Sequence, residues 1–382
     1  MRLLHAYNLH RGGGGADNAT RATISVLRAR GIDVEVFERD SAALPVSLSG
    51  KVRAFADGLY ARSAVKAFCD QLDRDRPDIV HVHDLYPLIS PWILPECKRR
   101  RIPTVMSVYD YRLTCPVHNH HFNGRLCTKC LGGREHHCVI QNCRGSRPES
   151  VAFALRNGVA RSFGLFSRNV DLYIAPTRFT VQWLVEHAMV APARVKAIPC
   201  VIDLPAEPVD PARGSYVAFA GRFVPEKGVE VALAAARKAG LPLWLAGDAD
   251  DHPAVRPGDN VRFVRTRNRE ELAAFYRGAR IFVMPSIWFE TFGIVVGEAM
   301  SHGVPVVASR IGALAETTVD GVTGLLFEPG NVDELAAKLR QLWDDDELCR
   351  ELGRGARKHI ENTASPQRHA ELTIAAYESF QS

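Results

Sequence analysis

The chain has 382 residues, 46% hydrophobic and 24% charged, which suits two ordinary globular domains and excludes a disordered or fibrous protein. No uninterrupted apolar run approaches the ~18–20 residues of a membrane-spanning helix, and Met1 to His10 lack a signal-peptide core, so the expected location is cytoplasmic, either free or peripheral on the inner membrane face. The net charge of +5 is uneven: residues 1–205 carry 28 Lys and Arg against 18 Asp and Glu, and residues 206–382 carry 20 against 25, so the basic half suits an anionic partner such as a phospholipid surface, a diphosphate-linked lipid or nucleic acid.

Short apolar runs at 2–7, 34–37, 79–82, 104–108, 173–175 and 195–198 read as strands, and a second series lies at 216–220, 243–246, 261–264, 281–284 and 304–308. Amphipathic helical patterns fall between them, at 19–30, 228–239, 269–277 and 333–343. Such alternation implies parallel sheets covered on both faces. The series restarts near residue 215, after a Pro- and acid-rich stretch at 205–211 that reads as a linker. The predicted fold class is therefore α/β, with two doubly wound Rossmann-like domains (1–204 and 212–364) facing a cleft and ligands at the carboxyl ends of the strands.

After the first strand, Gly12-Gly-Gly-Gly-Ala-Asp17 opens a helix. Such a loop lets backbone approach a phosphate or an acceptor, although flexible loops use glycine too. Five of the nine cysteines and five of the fourteen histidines lie in a Gly-rich insertion at 115–143. The spacing Cys127-x2-Cys130-x7-Cys138-x4-Cys143 is close to a four-ligand zinc pattern, and zinc would supply folding energy that this apolar-poor segment lacks. Unligated thiols and disulfides are the alternatives, disulfides being rare in the cytosol. Next come Arg144, Arg147, Arg156, Arg161 and Arg168, interleaved with Val151, Phe153, Leu155, Phe163, Leu165 and Phe166. This is either a basic amphipathic surface for anionic lipid or a helix packing its apolar face inward with its arginines in water.

In the second half, Ala220-Gly-Arg-Phe-Val-Pro-Glu-Lys-Gly228 follows a strand. Gly221 permits a tight turn, and Arg222 and Lys227 put a bidentate guanidinium and a point-charge ammonium at the strand end, which suits a diphosphate. Asp248-Ala-Asp250 has the spacing of a cation-holding motif, yet it ends a strand in a turn-rich loop and reads as a turn. Pro285 and Ser286 break the strand at 281–284, so Glu290 lies in a loop and Glu298 about two turns into the helix starting near Gly293. Unpaired N–H groups of Thr291 to Ile294 make that helix end receptive to anions. The neighbours Phe289, Phe292, Ile294, Val295 and Val296 imply burial, and buried acids need a reason. A sugar nucleotide, carrying both phosphate and hydroxyls, supplies one.

The order of Gly-Arg-Phe-x-Pro-Glu-Lys-Gly, Glu290-x7-Glu298, Gly303-Val-Pro-Val-Val-Ala-Ser309, Gly312 to Glu316 and Asp320-Gly-Val-Thr-Gly-Leu-Leu-Phe327 resembles the retaining glycosyltransferases of family 4 (glycosyl transferases group 1), which have the GT-B fold. The likeness covers nearly the whole chain and is densest from 218 to 327. It implies that Arg222 and Lys227 bind the donor diphosphate and stabilise its departure, that Glu298 accepts from the ribose, and that Glu290 contacts sugar hydroxyls near the reacting carbon. It also implies that the N–H groups of Phe292, Gly293 and Ile294 approach sugar or phosphate, that the base sits near Arg265 to Arg267, and that Gly14 and Gly15 line the donor side. Asp17, Asp110 and Trp288 would stand on the acceptor side. A helix over 365–382 would return to the first domain.

The same resemblance implies a UDP- or GDP-linked donor, a sugar or polyprenyl-diphosphate-linked acceptor in bacterial envelope polysaccharide or glycolipid synthesis, and no nucleic acid. Retention would proceed by front-side attack with the departing diphosphate taking the acceptor's proton, so neither a protein nucleophile nor a catalytic metal is required. Cysteines of some members match Cys115, Cys127, Cys130 and Cys143, which makes Cys115 a fourth zinc ligand in place of Cys138. Two positions depart from the family pattern. Tyr109 stands where many members have a histidine facing the donor sugar, so that either Asp110 takes part of that role or the histidine is dispensable, and Pro199-Cys-Val-Ile-Asp203 replaces Pro-Asn-Gly-x-Asp. Two rivals are a sugar-nucleotide epimerase of the same fold, against which the Glu-x7-Glu pattern argues, and a zinc-containing nucleic-acid-binding protein, which leaves Arg222, Lys227, Glu290 and Glu298 unexplained.

Overall fold

The structure, a computed structural model, describes residues 1–247 and 249–380. Asp248 of the Asp-x-Asp spacing and the last two residues of the predicted final helix lie outside the described residues. The chain forms two compact units: Met1–His120 with Cys127–Ile198 and the segment from His369 onward, and 121–126 with Pro199–Arg368.

The first unit holds strands β1 (Arg2–Leu9), β2 (Asp33–Asp40), β3 (Ile79–Val82) and β4 (Thr104–Ser107). A short hairpin, β5 (His121–Phe122) with β6 (Arg125–Leu126), belongs to the second unit, and β7 (Leu172–Ala175) and β8 (Val195–Ala197) complete the first sheet. That sheet runs β2-β1-β3-β4-β7-β8, parallel throughout. Every residue of β3, β4 and β7 is buried, as strands covered on both faces must be. One face packs Phe68, Leu72, Val80, Val82, Met106 and Tyr173. The other packs Leu3, Ile24, Leu27, Ile79 and Ile174 against Ala376 and Tyr377 of the last helix, Pro366–Glu378.

The second unit holds β9 (Tyr216–Ala220), β10 (Leu243–Ala246), β11 (Val261–Val264), β12 (Ala279–Met284), β13 (Val306–Ser309) and β14 (Gly324–Phe327), in the order β11-β10-β9-β12-β13-β14. The strand order reverses direction between β1 and β3 in one sheet and between β9 and β12 in the other. At such a point the loops from adjacent carboxyl ends diverge and leave a crevice. Stretch 205–211, expected as a linker, is held on the second unit: Arg357 donates to the Pro205 carbonyl at 2.9 Å and the Val209 N–H donates to the His302 carbonyl at 2.8 Å.

The arginine-rich segment departs from the expectation of a helix that packs its apolar face inward and keeps its arginines in water. It forms a helix, Arg147–Ser162, but Arg156 lies over the rings of Tyr86 at 3.9 Å and Phe153 at 4.4 Å, and Arg161 pairs with Glu135 at 2.7 Å. The apolar Val151, Leu155 and Phe163 instead face solvent, as do Leu48 and Val52 of the helix Leu48–Tyr60, which Lys51 ties to Glu149 at 2.8 Å. Among the described residues, no helix is long and apolar enough to cross a membrane.

The last helix is fastened by polar as well as apolar contacts. The Tyr377 hydroxyl and His81 Nδ1 are 2.6 Å apart, and His369 Nε2 is 3.1 Å from Thr23 Oγ1. His81 is fully buried, so removing its partner strands a ring nitrogen away from water. Tyr377→Phe should therefore cost about 1–3 kcal/mol, read as a lower urea midpoint for the variant compared with the wild-type chain under identical conditions.

Candidate functional site

The second unit's site forms where β9 and β12 end. After β9 the chain turns through Gly221 and a short 3-10 turn, Pro225–Lys227, before the helix Val229–Ala239. Gly228 joins the two with φ of 71°, and a Cβ there would collide with the Pro285 carbonyl oxygen. Only glycine lets these two loops approach so closely. The Ile287 N–H also donates to the Glu226 carbonyl at 3.0 Å, a second tie between the two loops.

That approach delivers Lys227 to Glu290. Lys227 Nζ lies 2.6 Å from Glu290 Oε1, Ser286 Oγ donates to the same oxygen at 2.7 Å, and Trp288 Nε1 donates at 3.1 Å. Three donors thus converge on one oxygen of a carboxylate that is 6% exposed, which is how a buried charge is tolerated. The ammonium also lies 5.4 Å from the Trp288 ring centre, so the indole both donates to the carboxylate and faces the cation. Arg222, in the same loop after β9, is exposed.

The helix Ile294–Ser301 starts at Gly293, whose φ is 83°. Phe292 before it is buried. Glu298 sits one turn along, half-buried, and its Oε2 accepts from the Tyr276 hydroxyl at 2.8 Å. Burial raises its carboxyl above the usual range, against the hydrogen bond from Tyr276 and the charge of Arg269. Arg265, at the end of β11, is exposed and pairs with Asp250. The structure therefore gathers Lys227, Glu290 and Trp288 with the Gly293 helix end, and commits the Arg265 guanidinium to a salt bridge.

The first unit carries a second polar cluster at its own reversal point. Gly12 to Gly14 lead into the helix Gly15–Ala29, and Asp17 in its first turn is buried, its Oδ2 accepting from the His10 backbone N–H at 3.0 Å. From the end of β3, the buried Asp84 places Oδ2 2.5 Å from His10 Nε2 and Oδ1 against Arg112, which also grips Asp110. Burial alone would raise Asp84, but the Arg112 guanidinium and His10 outweigh it and hold the carboxyl far below its ordinary value. Tyr109 stacks on His83, with the rings within 6° of parallel and its hydroxyl 3.2 Å from His83 Nδ1. The position that departs from the family pattern thus has an imidazole against it, supplied by the neighbouring strand.

His10, Asp84, Arg112 and Ser286 were not singled out from sequence. His83-Asp84 directly after β3 was legible only once β1 and β3 were known to be neighbours. Another grouping also emerges only from the fold. Among the described residues, the set of three or more metal-capable side chains whose ligand atoms lie within 4.8 Å of one another is His5, His81 and His83. Burial lowers all three below the usual imidazole range, His5 to about 3. The insertion's cysteines are free thiols. Burial and the neighbouring thiols of Cys115, Cys143 and Cys127 push Cys130 up to about 12, and burial with the neighbouring thiols of Cys143 and Cys130 likewise raises Cys138.

The sequence and the fold resemble those of known proteins. The family model described as Glycosyltransferase Family 4 matches residues 13–205, just over half of the chain, and the model for Glycosyl transferases group 1 matches residues 204–359. A D-inositol 3-phosphate glycosyltransferase of Corynebacterium efficiens is 34% identical over 171 residues, 40% of this chain and 40% of that protein. The match thus spans well under half the length of that curated relative. The solved structure of sucrose-phosphate synthase from Thermosynechococcus elongatus superposes with a TM-score of 0.73 at 19% identity, covering 100% of this chain and 99% of that one. Anabaena HepE in complex with UDP gives 0.66 at 18%, covering 99% and 100%. These two likenesses establish the fold, GT-B, and the two family models together span residues 13–359, so the chain belongs to the family 4 glycosyltransferases of group 1.

Proposed function

We propose that the protein transfers a sugar, with retention of anomeric configuration, from a UDP- or GDP-linked donor to a hydroxyl of a sugar or polyprenyl-diphosphate-linked acceptor in envelope polysaccharide or glycolipid synthesis. The observation that carries this reading is the convergence of Lys227, Ser286 and Trp288 on Glu290 at the reversal point between β9 and β12, with Arg222 exposed in the loop that carries Lys227. The two cations are suited to a diphosphate as it takes up charge on leaving, and Glu290 to the hydroxyls of the sugar whose bond is breaking. Glu298, half-buried and bonded to Tyr276, suits a ribose hydroxyl. UDP in the HepE structure supports a nucleotide donor. The reaction as proposed needs no metal.

The insertion's chemistry suits structural zinc. Burial raises Cys115, while the backbone N–H groups of His120, Asn119 and Val117 aimed at its sulfur favour the thiolate. Gln141 Nε2 donates to Cys127 at 3.4 Å and to Cys143 at 3.8 Å. Cys138 is fully buried, with its thiol directed to the Ser150 carbonyl at 3.8 Å. Cys115, Cys127, Cys130 and Cys143 would hold the ion, with Cys138, which also neighbours Cys143 and Cys130, as the alternative fourth ligand, and the ion would remove the thiol protons that these groups otherwise hold on one another. The exposed Leu48, Val52, Val151, Leu155 and Phe163, on a half whose net charge is positive, suit an anionic lipid surface, where a lipid-linked acceptor is found.

Each element has a test. Lys227→Ala and Glu290→Ala should each lower donor turnover by roughly 10²–10³-fold in a coupled assay for released nucleoside diphosphate; wild-type rates in both would reject the site. Metal analysis of the purified protein should find one zinc per chain, lost in Cys127→Ser, and a metal-free wild type would reject that assignment. Cosedimentation with phosphatidylglycerol vesicles should fall in Leu155→Asp with Phe163→Asp, and equal binding by the variant would remove the surface from consideration.

A further inference from the structure

We propose that a cavity in the first unit binds a neutral saccharide; it is formed by that unit's residues alone and does not depend on the nucleotide that the second unit takes. The cavity measures about 470 Å³, within the ~300–1,000 Å³ usual for small-molecule sites. Its walls are the turn after β4 at 112–114, the end of the helix Arg147–Ser162 with the loop after it, and the end of the helix Arg178–His187. The Cys-rich insertion closes another side through Gly132 and Gly133. Gly133 has φ of 82°, and a Cβ there would meet the Arg161 guanidinium, so bare backbone lies against that side chain.

Tyr173 of β7 lines the cavity from the sheet. Its backbone is paired on both sides, with Met106 of β4 and Val195 of β8, and its ring is packed in the core. The residue is 1% exposed, yet among the described residues nothing is bonded to its hydroxyl. A hydroxyl held at the edge of a core without a partner is costly unless something in the cavity bonds it. Burial pushes the phenol up, so at neutral pH it offers an O–H donor and a lone pair but no charge.

The other polar groups on the cavity sort by the same rule. Both guanidiniums are committed, Arg112 to Asp84 and Asp110 and Arg161 to Glu135. Asn157 Nδ2 donates to the Arg112 carbonyl at 2.6 Å, which leaves Oδ1 to accept. Leu113, Phe166, Ala188 and Val190 supply apolar surface between these groups. A hydroxyl and an amide oxygen set in apolar surface, with the charges already balanced, suit a ligand that carries hydroxyls on an apolar ring and has no net charge, which is a sugar unit. A phosphate would find no uncommitted guanidinium there, and an alkyl chain would leave the Tyr173 hydroxyl unpaired. Met189, which also lines the cavity, is 90% exposed with φ of 55°. A flexible thioether held out in water can fold over a bound ring.

The test uses the whole chain with excess UDP, and the methyl glycosides of glucose, galactose and N-acetylglucosamine followed by saturation-transfer NMR. At least one glycoside should bind with a millimolar Kd. Tyr173→Phe removes one oxygen that no described residue bonds, so its thermal midpoint should equal or exceed that of the wild type while the glycoside Kd rises roughly fivefold or more. Ala188→Phe, which fills the cavity from another wall, should abolish binding. No glycoside binding by the wild type up to about 50 mM, or an unchanged Kd in both variants, would overturn the proposal. Binding of n-octanol that is lost in Ala188→Phe, without any glycoside binding, would overturn it in favour of an alkyl chain. Failure of UDP itself to bind would count against the donor reading and leave these outcomes as they stand.

Discussion

Both sheets are wholly parallel and covered on both faces, and that constraint governs where chemistry can occur. Strands such as β3, β4 and β12 are buried along their whole length, so a polar group within them must find a partner inside the protein. His5, His81 and His83 show the result: stacked imidazoles, bonded to each other and to hydroxyls of Ser107, Tyr109 and Tyr377, and kept neutral by burial. Groups that must meet a ligand are pushed to the carboxyl ends, where the loops diverge. The two clusters sit at equivalent places for this reason, one after β9 and β12 and the other after β1 and β3.

Within the second unit, close backbone approach comes first and charge placement follows from it. Gly228 lies against the Pro285 carbonyl, and that contact brings Lys227 within 2.6 Å of Glu290. A larger residue at 228 would separate the loops before any charge was altered. The ammonium also has two uses. In this structure it neutralises a buried carboxylate, whereas a bound diphosphate would compete for the same three N–H donors. If Lys227 turned toward phosphate, Ser286 and Trp288 would keep Glu290 Oε1 bonded.

Much of the fold was legible because its signals are local. The strands at 243–246 and 261–264 and the helix at 269–277 occur as read, and most other boundaries shift by a few residues. Strand β14 was missed: its four residues begin at a glycine and follow a turn, so periodicity has little to act on. The hairpin β5–β6, with two residues per strand, is shorter still. On the donor side the motifs named Arg222, Lys227, Glu290 and Glu298, because each lies within one loop or helix start. What the sequence could not show is which side chains share an atom. Ser286 is an ordinary strand breaker until its hydroxyl is found on Glu290, and the arginines at 144–168 look solvated until Arg156 is found over Tyr86.

The first unit shows how an unusual residue can mislead when it is judged alone. Tyr109 is a poor proton acceptor at neutral pH, and against the family pattern it looks like a loss of function. In the fold it is stacked on His83, and a different imidazole, that of His10, stands at the mouth of the same sheet with a carboxylate behind it. The two changes fit together. An imidazole at 109 would face His83 ring to ring, and burial already keeps the histidines there uncharged. At position 10 the ring is partly in water and its partner is Asp84, whose hydrogen bond and charge raise the imidazole above its usual value, against burial and the charge of Arg112. The reach of β1 beyond its pairing with β3, as far as Leu9, is what carries His10 out of the apolar sheet, and Asp84, one residue past His83, is the first position after β3 from which a carboxylate meets it. Moving the imidazole from the strand that is buried to the one that projects turns a neutral core residue into one that can titrate.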